Sequence, residues 1–267
     1  MKRLFLAAVI GCTLTAQAAT DDALKAAINN EARSAGNKTR DQARHPYETL
    51  TFFGIKPSMT VVELSPGSGW YTEILAPYLR GQGRFIAAGA DPKSDREGMR
   101  RAAARFQEKL DANPAAFNKV QLGVFEPTSK YDYAPKGSVD LVLTFRNIHN
   151  WVPAGESGLK SVFASAYDSL KPGGVFGVVE HRLPVNQAQS PGADSGYVHQ
   201  AYVIKLIESV GFTLAAQSEV NANARDKADH PIGVWALPPS YANKDVDRAT
   251  YEAIGESDRM TLKFVKQ

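Results

Sequence analysis

Apolar residues fall in short runs, separated by longer stretches with helical spacing. The runs at 60–64, 84–88, 120–124, 139–144, 175–180 and 212–218 are rich in Val, Leu, Ile and Phe and predict strands. Residues 70–79, 96–110, 159–170 and 197–210 predict helices between them. Upstream, 21–34 reads as a helix capped by Asp21 or Asp22, and Pro46 opens a short apolar helix to 53. At the far end, 259–265 alternates, with Met260, Leu262 and Phe264 on one face of a half-buried strand. Gly54 and Pro57, the run Lys171-Pro172-Gly173-Gly174, and Gly211 punctuate the pattern. Strands alternating with helices imply a mostly parallel sheet covered on both faces. Residues 221–258 are polar, proline-bearing and without period. They read as an insertion before the last strand, at an end of the sheet where it could cover a site.

The junction of the first strand and its helix carries the most chemistry. Val61 to Trp70 read Val-Val-Glu-Leu-Ser-Pro-Gly-Ser-Gly-Trp. Small residues let the chain's backbone come close to a ligand there, and the following helix start offers free N–H groups. Dinucleotide enzymes want G-x-G-x-x-G at this place. Gly67 and Gly69 supply the first two glycines, but Thr72 fills the third slot. With Glu63 leading in, the segment resembles motif I of the class I S-adenosylmethionine-dependent methyltransferases, an acid-x-Gly-x-Gly-x-Gly pattern, with Ser65 in the first glycine slot.

The likeness extends over most of the chain. Arg44-His45-Pro46, Pro66-Gly67-Ser68-Gly69-Trp70-Tyr71, the run from Thr144 to Trp151, Leu170-Lys171-Pro172-Gly173-Gly174 and Ser257-Asp258-Arg259 together resemble predicted secreted methyltransferases of bacteria. That resemblance implies a Rossmann-like seven-stranded sheet, mostly parallel with an antiparallel last strand, and helices on both faces. It implies S-adenosylmethionine as cofactor and leaves the methyl acceptor open. It places Glu63, Ser65, Gly67, Ser68 and Gly69 around the cofactor loop, with Asn147 after the fourth strand. A carboxylate after the second strand should hold the ribose. The register slot is Gly89, and the nearest acid, Asp91, either reaches back through a bulged turn or begins the next turn with Pro92. Glu126, after the third strand, either meets the adenine amino group or is a solvated loop carboxylate.

Bulk properties change the picture mainly at the N-terminus. Met1-Lys2-Arg3 is basic, 4–14 is apolar or small, and Ala16-Gln17-Ala18 is a small-x-small cleavage site. This order predicts a signal peptide over 1–19 and a periplasmic or secreted protein. The mature chain, 20–267, reads as one domain with a helical extension over 20–58. Val9-Ile10-Gly11-Cys12 offers a rival reading as a lipobox. Cys12 is the only cysteine among 267 residues, so no disulfide is expected. Of 31 basic residues, Lys2 and Arg3 leave with the signal, and 29 remain against 28 acidic. No basic stripe suggests nucleic acid, and no run is long enough to span a membrane. The expected partner is a small-molecule substrate, and the sequence does not indicate an oligomeric state.

In doubly wound sheets ligands sit beyond the carboxyl ends of the strands. His149, His181 and His199 all fall near that edge, and His45 and His230 could join them. Either they include a general base for the acceptor's proton, with His149 first and His181 in reserve, or each is a satisfied polar residue at an element's end. Tyr71 is a candidate positioning group. His45, Trp70, Trp151 and His199 are candidate substrate-side residues, the tryptophans having core packing as their alternative. Imidazoles also suit zinc, but no tight His-x-x-x-His or cysteine spacing supports it, and no metal is expected. Asp140, at the wrong end of its strand, lies roughly 13 Å from the far end and reads as structural. An exported protein meets little S-adenosylmethionine, so a binding protein that kept the fold and lost the transfer is the alternative, with a nicotinamide oxidoreductase third.

Overall fold

A computed structural model describes residues 21–267. The expected signal peptide and Cys12 lie outside the described residues. Eight strands form one sheet: β1 (Thr60–Leu64), β2 (Arg84–Gly89), β3 (Gln121–Glu126), β4 (Lys130–Asp132), β5 (Val139–Phe145), β6 (Leu170–His181), β7 (Phe212–Ser218) and β8 (Arg259–Lys266). Their order across the sheet is β4-β3-β2-β1-β5-β6-β8-β7. β3, β2, β1, β5 and β6 are parallel, and β8 runs antiparallel between β6 and β7. The expected count of seven is corrected to eight, because the short β4 folds back on β3 as an antiparallel edge.

The helices are α1 (Asp22–Asn29), α2 (Ala35–Lys38), α3 (Asp41–Arg44), α4 (Pro46–Phe53), α5 (Thr72–Leu79), α6 (Glu97–Asp111), α7 (Pro114–Phe117), α8 (Ile148–Trp151), α9 (Gly155–Ser169), α10 (Gln200–Glu208) and α11 (Arg248–Ile254). Neighbouring strand residues face opposite sides of the sheet. Val62, Leu64, Val142, Phe176 and Phe264 pack under α9 and α10 with Leu159, Phe163 and Leu206. Val61, Phe85, Leu141 and Leu143 pack on the other side with Leu24, Leu50, Phe53, Ile74 and Leu75. Each such fully buried side chain contributes roughly 1.5–3 kcal/mol, and this two-sided burial holds the strand ends in place.

Local differences from the sequence reading have local causes. The helix expected over 21–34 stops at Asn29, because Asn30 turns the chain with its side chain accepting from the Ala32 N–H at 2.8 Å. The helix expected from 197 starts at Gln200, because Val198 is drawn into an extended bridge with Arg182. Lys171 to Gly174 bulge within β6 rather than preceding it: Val139 faces Leu170, and Leu141 faces Val175. The segment between β7 and β8 holds a 3-10 turn at Gly233–Ala236 and then α11. Among the described residues no helix is long and apolar enough to cross a membrane.

Candidate functional site

The loop after β1 is built by left-handed backbone. Ser65, Gly67 and Gly69 have φ of 52°, 59° and 76°. Ser65 thus holds a conformation that favours glycine, in the motif's first glycine slot. Its N–H donates to the Ala88 carbonyl at 2.8 Å, tying the loop to β2. Asn147 ties it to β5: its Nδ2 donates to the Leu64 carbonyl at 3.1 Å, the Ser65 carbonyl at 3.3 Å and Thr144 Oγ1 at 3.0 Å. Asn147 therefore shapes the loop from behind. Glu63 does likewise. It is buried, and Thr72 Oγ1 donates to its Oε2 at 2.9 Å. The residue in the missing third-glycine slot is thus the partner of the motif's acid. Burial pushes the Glu63 carboxyl up to about 7, against the pull of Thr72 and of the Arg146 charge.

Beside this loop lies a mainly apolar cavity of about 740 Å³, walled by Ser65 to Gly67, Gly89, Pro92, Met99, Phe106, Val124 and Phe125. Ser68 sits exposed at the loop tip. Of the two acids expected there, Asp91 is engaged: Lys130 Nζ donates to Oδ2 at 2.5 Å and the Lys93 N–H to Oδ1 at 2.8 Å, holding the carboxyl below its usual range. Asp91, expected either to hold the ribose or to begin the turn with Pro92, is paired here with Lys130 of β4, an edge that has no signal in the apolar pattern. Glu126 differs. Arg96 Nη2 donates to its Oε2 at 2.9 Å, while Oε1 is buried with no partner. Burial pushes this carboxyl up, but Ser94 and Arg96 outweigh it and hold it low. A buried charged oxygen without a donor is costly and marks a place for one.

The ends of β5 and β6 bring His149 and His181 together, their rings 5.2 Å apart. Between them stands Glu180, fully buried. Its Oε2 accepts from the N–H of Ile148 at 2.5 Å and of His149 at 3.3 Å, and its Oε1 from the N–H of His181 at 2.7 Å. These donors compensate the burial of a carboxylate. His149 Nδ1 lies 2.9 Å from Oε1. The network assigns the proton to Nδ1, which leaves Nε2 as the basic nitrogen. His181 Nδ1 meets Ser257 Oγ at 2.5 Å. Burial, then His149 and Arg146, pushes His181 well below the usual imidazole range, so it stays neutral. Trp235, from the insertion, stands edge-on to His149 at 6.2 Å.

His149, Glu180 and His181 approach closely enough to hold a metal ion, with candidate ligand atoms within 4.8 Å of one another. Two observations weigh against a cation there. Glu180 already receives its donors, and the arginine charges that add to burial in holding His181 neutral also repel a cation.

Those arginines are the part of the site that sequence reasoning missed. Glu256 accepts from Arg40 Nε at 2.7 Å, Arg44 Nε at 3.1 Å and Arg259 Nη1 at 3.2 Å. Arg146, at the end of β5 with φ of 59°, has no ion pair among the described residues. The signal available was that Arg44, Arg146 and Arg259 each lie in a segment that carries the family resemblance. Glu180 and Trp235 likewise lie outside the candidates that the sequence pattern points to.

The remaining candidates serve elsewhere. Tyr71 is buried, stacked on Phe145 at 3.5 Å, and its hydroxyl is pushed upward by burial despite the nearby arginines. Trp70 is corrected to a structural role: Arg33 and Arg44 lie over its ring at 5.0 and 4.7 Å, and its Nε1 donates to the Asn37 carbonyl. It fastens the N-terminal helices to the domain. Trp151 is corrected likewise, since it packs edge-on to Phe125 in the core. His199 is drawn off to the Gln187 carbonyl at 2.8 Å, and His230 to Asp226 at 2.9 Å. His45, with φ of 42°, lines a separate cleft of about 430 Å³.

No protein-family model matches the chain, and no curated protein matches it by sequence. By structure it is similar to a SAM dependent methyltransferase from Aquifex aeolicus, with a TM-score of 0.56 and 15% identity over 86% of this chain and 93% of that one. It is similar to an S-adenosylmethionine dependent methyltransferase from Mesorhizobium loti, with a TM-score of 0.50 and 13% identity over 82% of this chain and 97% of that one. It is also similar to the [4+2]-cyclase SpnF, with a TM-score of 0.55 and 12% identity over 89% of this chain and 84% of that one. At such identities the likeness establishes the fold, and the site must argue the chemistry.

Proposed function

We propose that the protein is an S-adenosylmethionine-dependent methyltransferase acting on a small-molecule acceptor. The observation that carries this reading is Glu126 Oε1, buried without a donor, one residue beyond the Val124 and Phe125 wall of the 740 Å³ cavity beside the Gly67 loop. An apolar slot with one unpaired acceptor suits an adenine ring and its amino group. Gly67 leaves open space where a ligand can come close to the chain's backbone. Bound here, the cofactor supplies an activated methyl group on sulfur. The chain's own work is then mainly alignment. Asn147 and Glu63 hold the loop, and Glu180 holds the His149 ring with Nε2 free to take a proton from the acceptor. His181 remains a neutral reserve.

One neighbour of this fold is the [4+2]-cyclase SpnF, so transfer has to be measured. Calorimetry of the purified protein with S-adenosylmethionine, S-adenosylhomocysteine and NAD is the test. Binding of the first two without NAD is expected, and binding of NAD alone overturns the reading. Methyl transfer from labelled cofactor to phenols, amines and carbon acids separates an enzyme from a binding protein. We also propose export, supported by the ordered basic, apolar and Ala-Gln-Ala segments. Mass spectrometry of the native protein should find a start near Ala19, and a diacylated Cys12 would mark a lipoprotein instead.

A further inference from the structure

We infer that a second, smaller cavity beside the histidines binds an oxyanion of the methyl acceptor, so that the acceptor is a small carboxylate or phosphate. This rests on the methyltransferase reading. The cavity measures about 170 Å³, and its walls include Arg40, Arg44, Arg146, His181, Trp235 and Glu256.

The charge there does not balance. Arg40, Arg44 and Arg146 share the cavity wall with one carboxylate, Glu256, which Arg44, Arg259 and Arg40 hold down at about 2 against the opposing effect of its burial. Glu256 divides its two oxygens among Arg40, Arg44 and Arg259, and none reaches Arg146. Burial and like charge pull Arg44 down to about 8 and Arg146 down to about 10. Donors are also left over. Arg44 Nη1 and Arg40 Nη2 are buried and have no acceptor, and the Arg44 side chain is only 4% exposed. A purely structural cluster would need the Glu256 pairs that fasten the N-terminal helices to the segment before β8. It would not need Arg146, nor two guanidinium nitrogens left without an acceptor. Buried cations with spare donors are stabilised by an anion, and guanidinium groups match the two oxygens of a carboxylate or phosphate.

Position ties the anion to the acceptor. Arg146 immediately precedes Asn147, whose side chain holds the Ser65 carbonyl of the cofactor loop, and His181 shares the cavity wall. An oxyanion held by Arg44 and Arg146 therefore sits beside His181, one residue along the chain from the Asn147 that holds the loop. Trp235 and the 238–240 stretch of the insertion cover it. The volume is below the roughly 300 Å³ of ordinary ligand pockets, so it takes a headgroup and a few atoms.

The experiment follows inorganic phosphate and acetate binding to the full chain saturated with S-adenosylhomocysteine, by thermal shift against chloride at equal ionic strength. Both anions should stabilise the protein, and Arg146→Gln and the partly exposed Arg40→Gln should each weaken them by about 10-fold or more, the scale of one lost charged hydrogen bond. Affinity for S-adenosylhomocysteine should stay within a few-fold in both variants. In the labelled-methyl screen, acidic acceptors should turn over and their amides should not. If the anions compete with S-adenosylhomocysteine, the cavity belongs to the cofactor's own carboxylate and the inference is overturned. If S-adenosylhomocysteine binds and neither anion does, the inference fails while the methyltransferase reading stands. If the anions bind and S-adenosylhomocysteine does not, that reading fails and the assignment to a methyl acceptor falls with it.

Discussion

Gly67→Ala is the sharpest perturbation of the cofactor loop, because the structure separates its cost to the fold from its cost to a ligand. A Cβ at Gly67 meets no atom within 4 Å. The protein pays only for the φ of 59°, about 1–2 kcal/mol for a residue with a Cβ, less about 0.5–1 kcal/mol recovered from the stiffer unfolded chain. A net loss of about 1 kcal/mol lowers the melting temperature of a chain of this size by about 2–4 °C. The same methyl projects into the space that the loop leaves for a close backbone approach. Affinity for S-adenosylhomocysteine should fall by 10-fold or more, about 1.4 kcal/mol. Gly69→Ala is the control. Its Cβ would lie 2.8 Å from Lys109 Cε and 3.2 Å from Phe106 Cε2, and Lys109 is the ion-pair partner of the buried Glu73. That variant should lose more stability than Gly67→Ala, for reasons inside the protein. Calorimetric titration alongside thermal melts reads both numbers. A folded Gly67→Ala protein that binds S-adenosylhomocysteine within twofold of wild type refutes the idea that this loop cradles the cofactor.

Three further outcomes are expected. Glu126→Gln should weaken S-adenosylhomocysteine about 10-fold by calorimetry without lowering the melting temperature, because its partner Arg96 is 60% exposed and such pairs contribute little. His149→Ala should slow single-turnover methyl transfer by roughly 100-fold or more, with cofactor affinity unchanged, and a wild-type rate would pass the role to His181 or to no base. Glu63 is raised from 4.5 to about 7, so the folded state keeps a proton that the unfolded chain loses between those values. Its contribution is full below about pH 4.5 and is lost as pH rises through 7. Glu63→Gln should therefore flatten the stability curve across this window and be the more stable form at pH 8, by on the order of 3 kcal/mol, as urea melts at several pH values can decide.

The sequence by itself determined the strands and their alternation with helices, because these follow from the spacing of apolar residues a few positions apart. Val61 to Leu64 is a buried strand in any register, and Gly67 and Gly69 turn the chain wherever it goes. It also identified the loop, and it put His149 and His181 at one sheet edge. What lay beyond it shares a different cause. β4 is three residues, Lys-Tyr-Asp, with no apolar alternation, and exists only because β3 offers an edge. That edge in turn supplies the Lys130 that pairs with Asp91. Trp70 and Trp151 look alike as aromatic residues near a site, and only their neighbours, two arginines in one case and Phe125 in the other, make them packing groups. The arginine cavity draws on positions 40, 44, 146, 256 and 259, more than two hundred residues apart at the extremes. Each arginine alone reads as an ordinary solvated cation. Their burial around one carboxylate is a property of the chain's path through space, since charge balance is a sum over neighbours that local spacing does not contain.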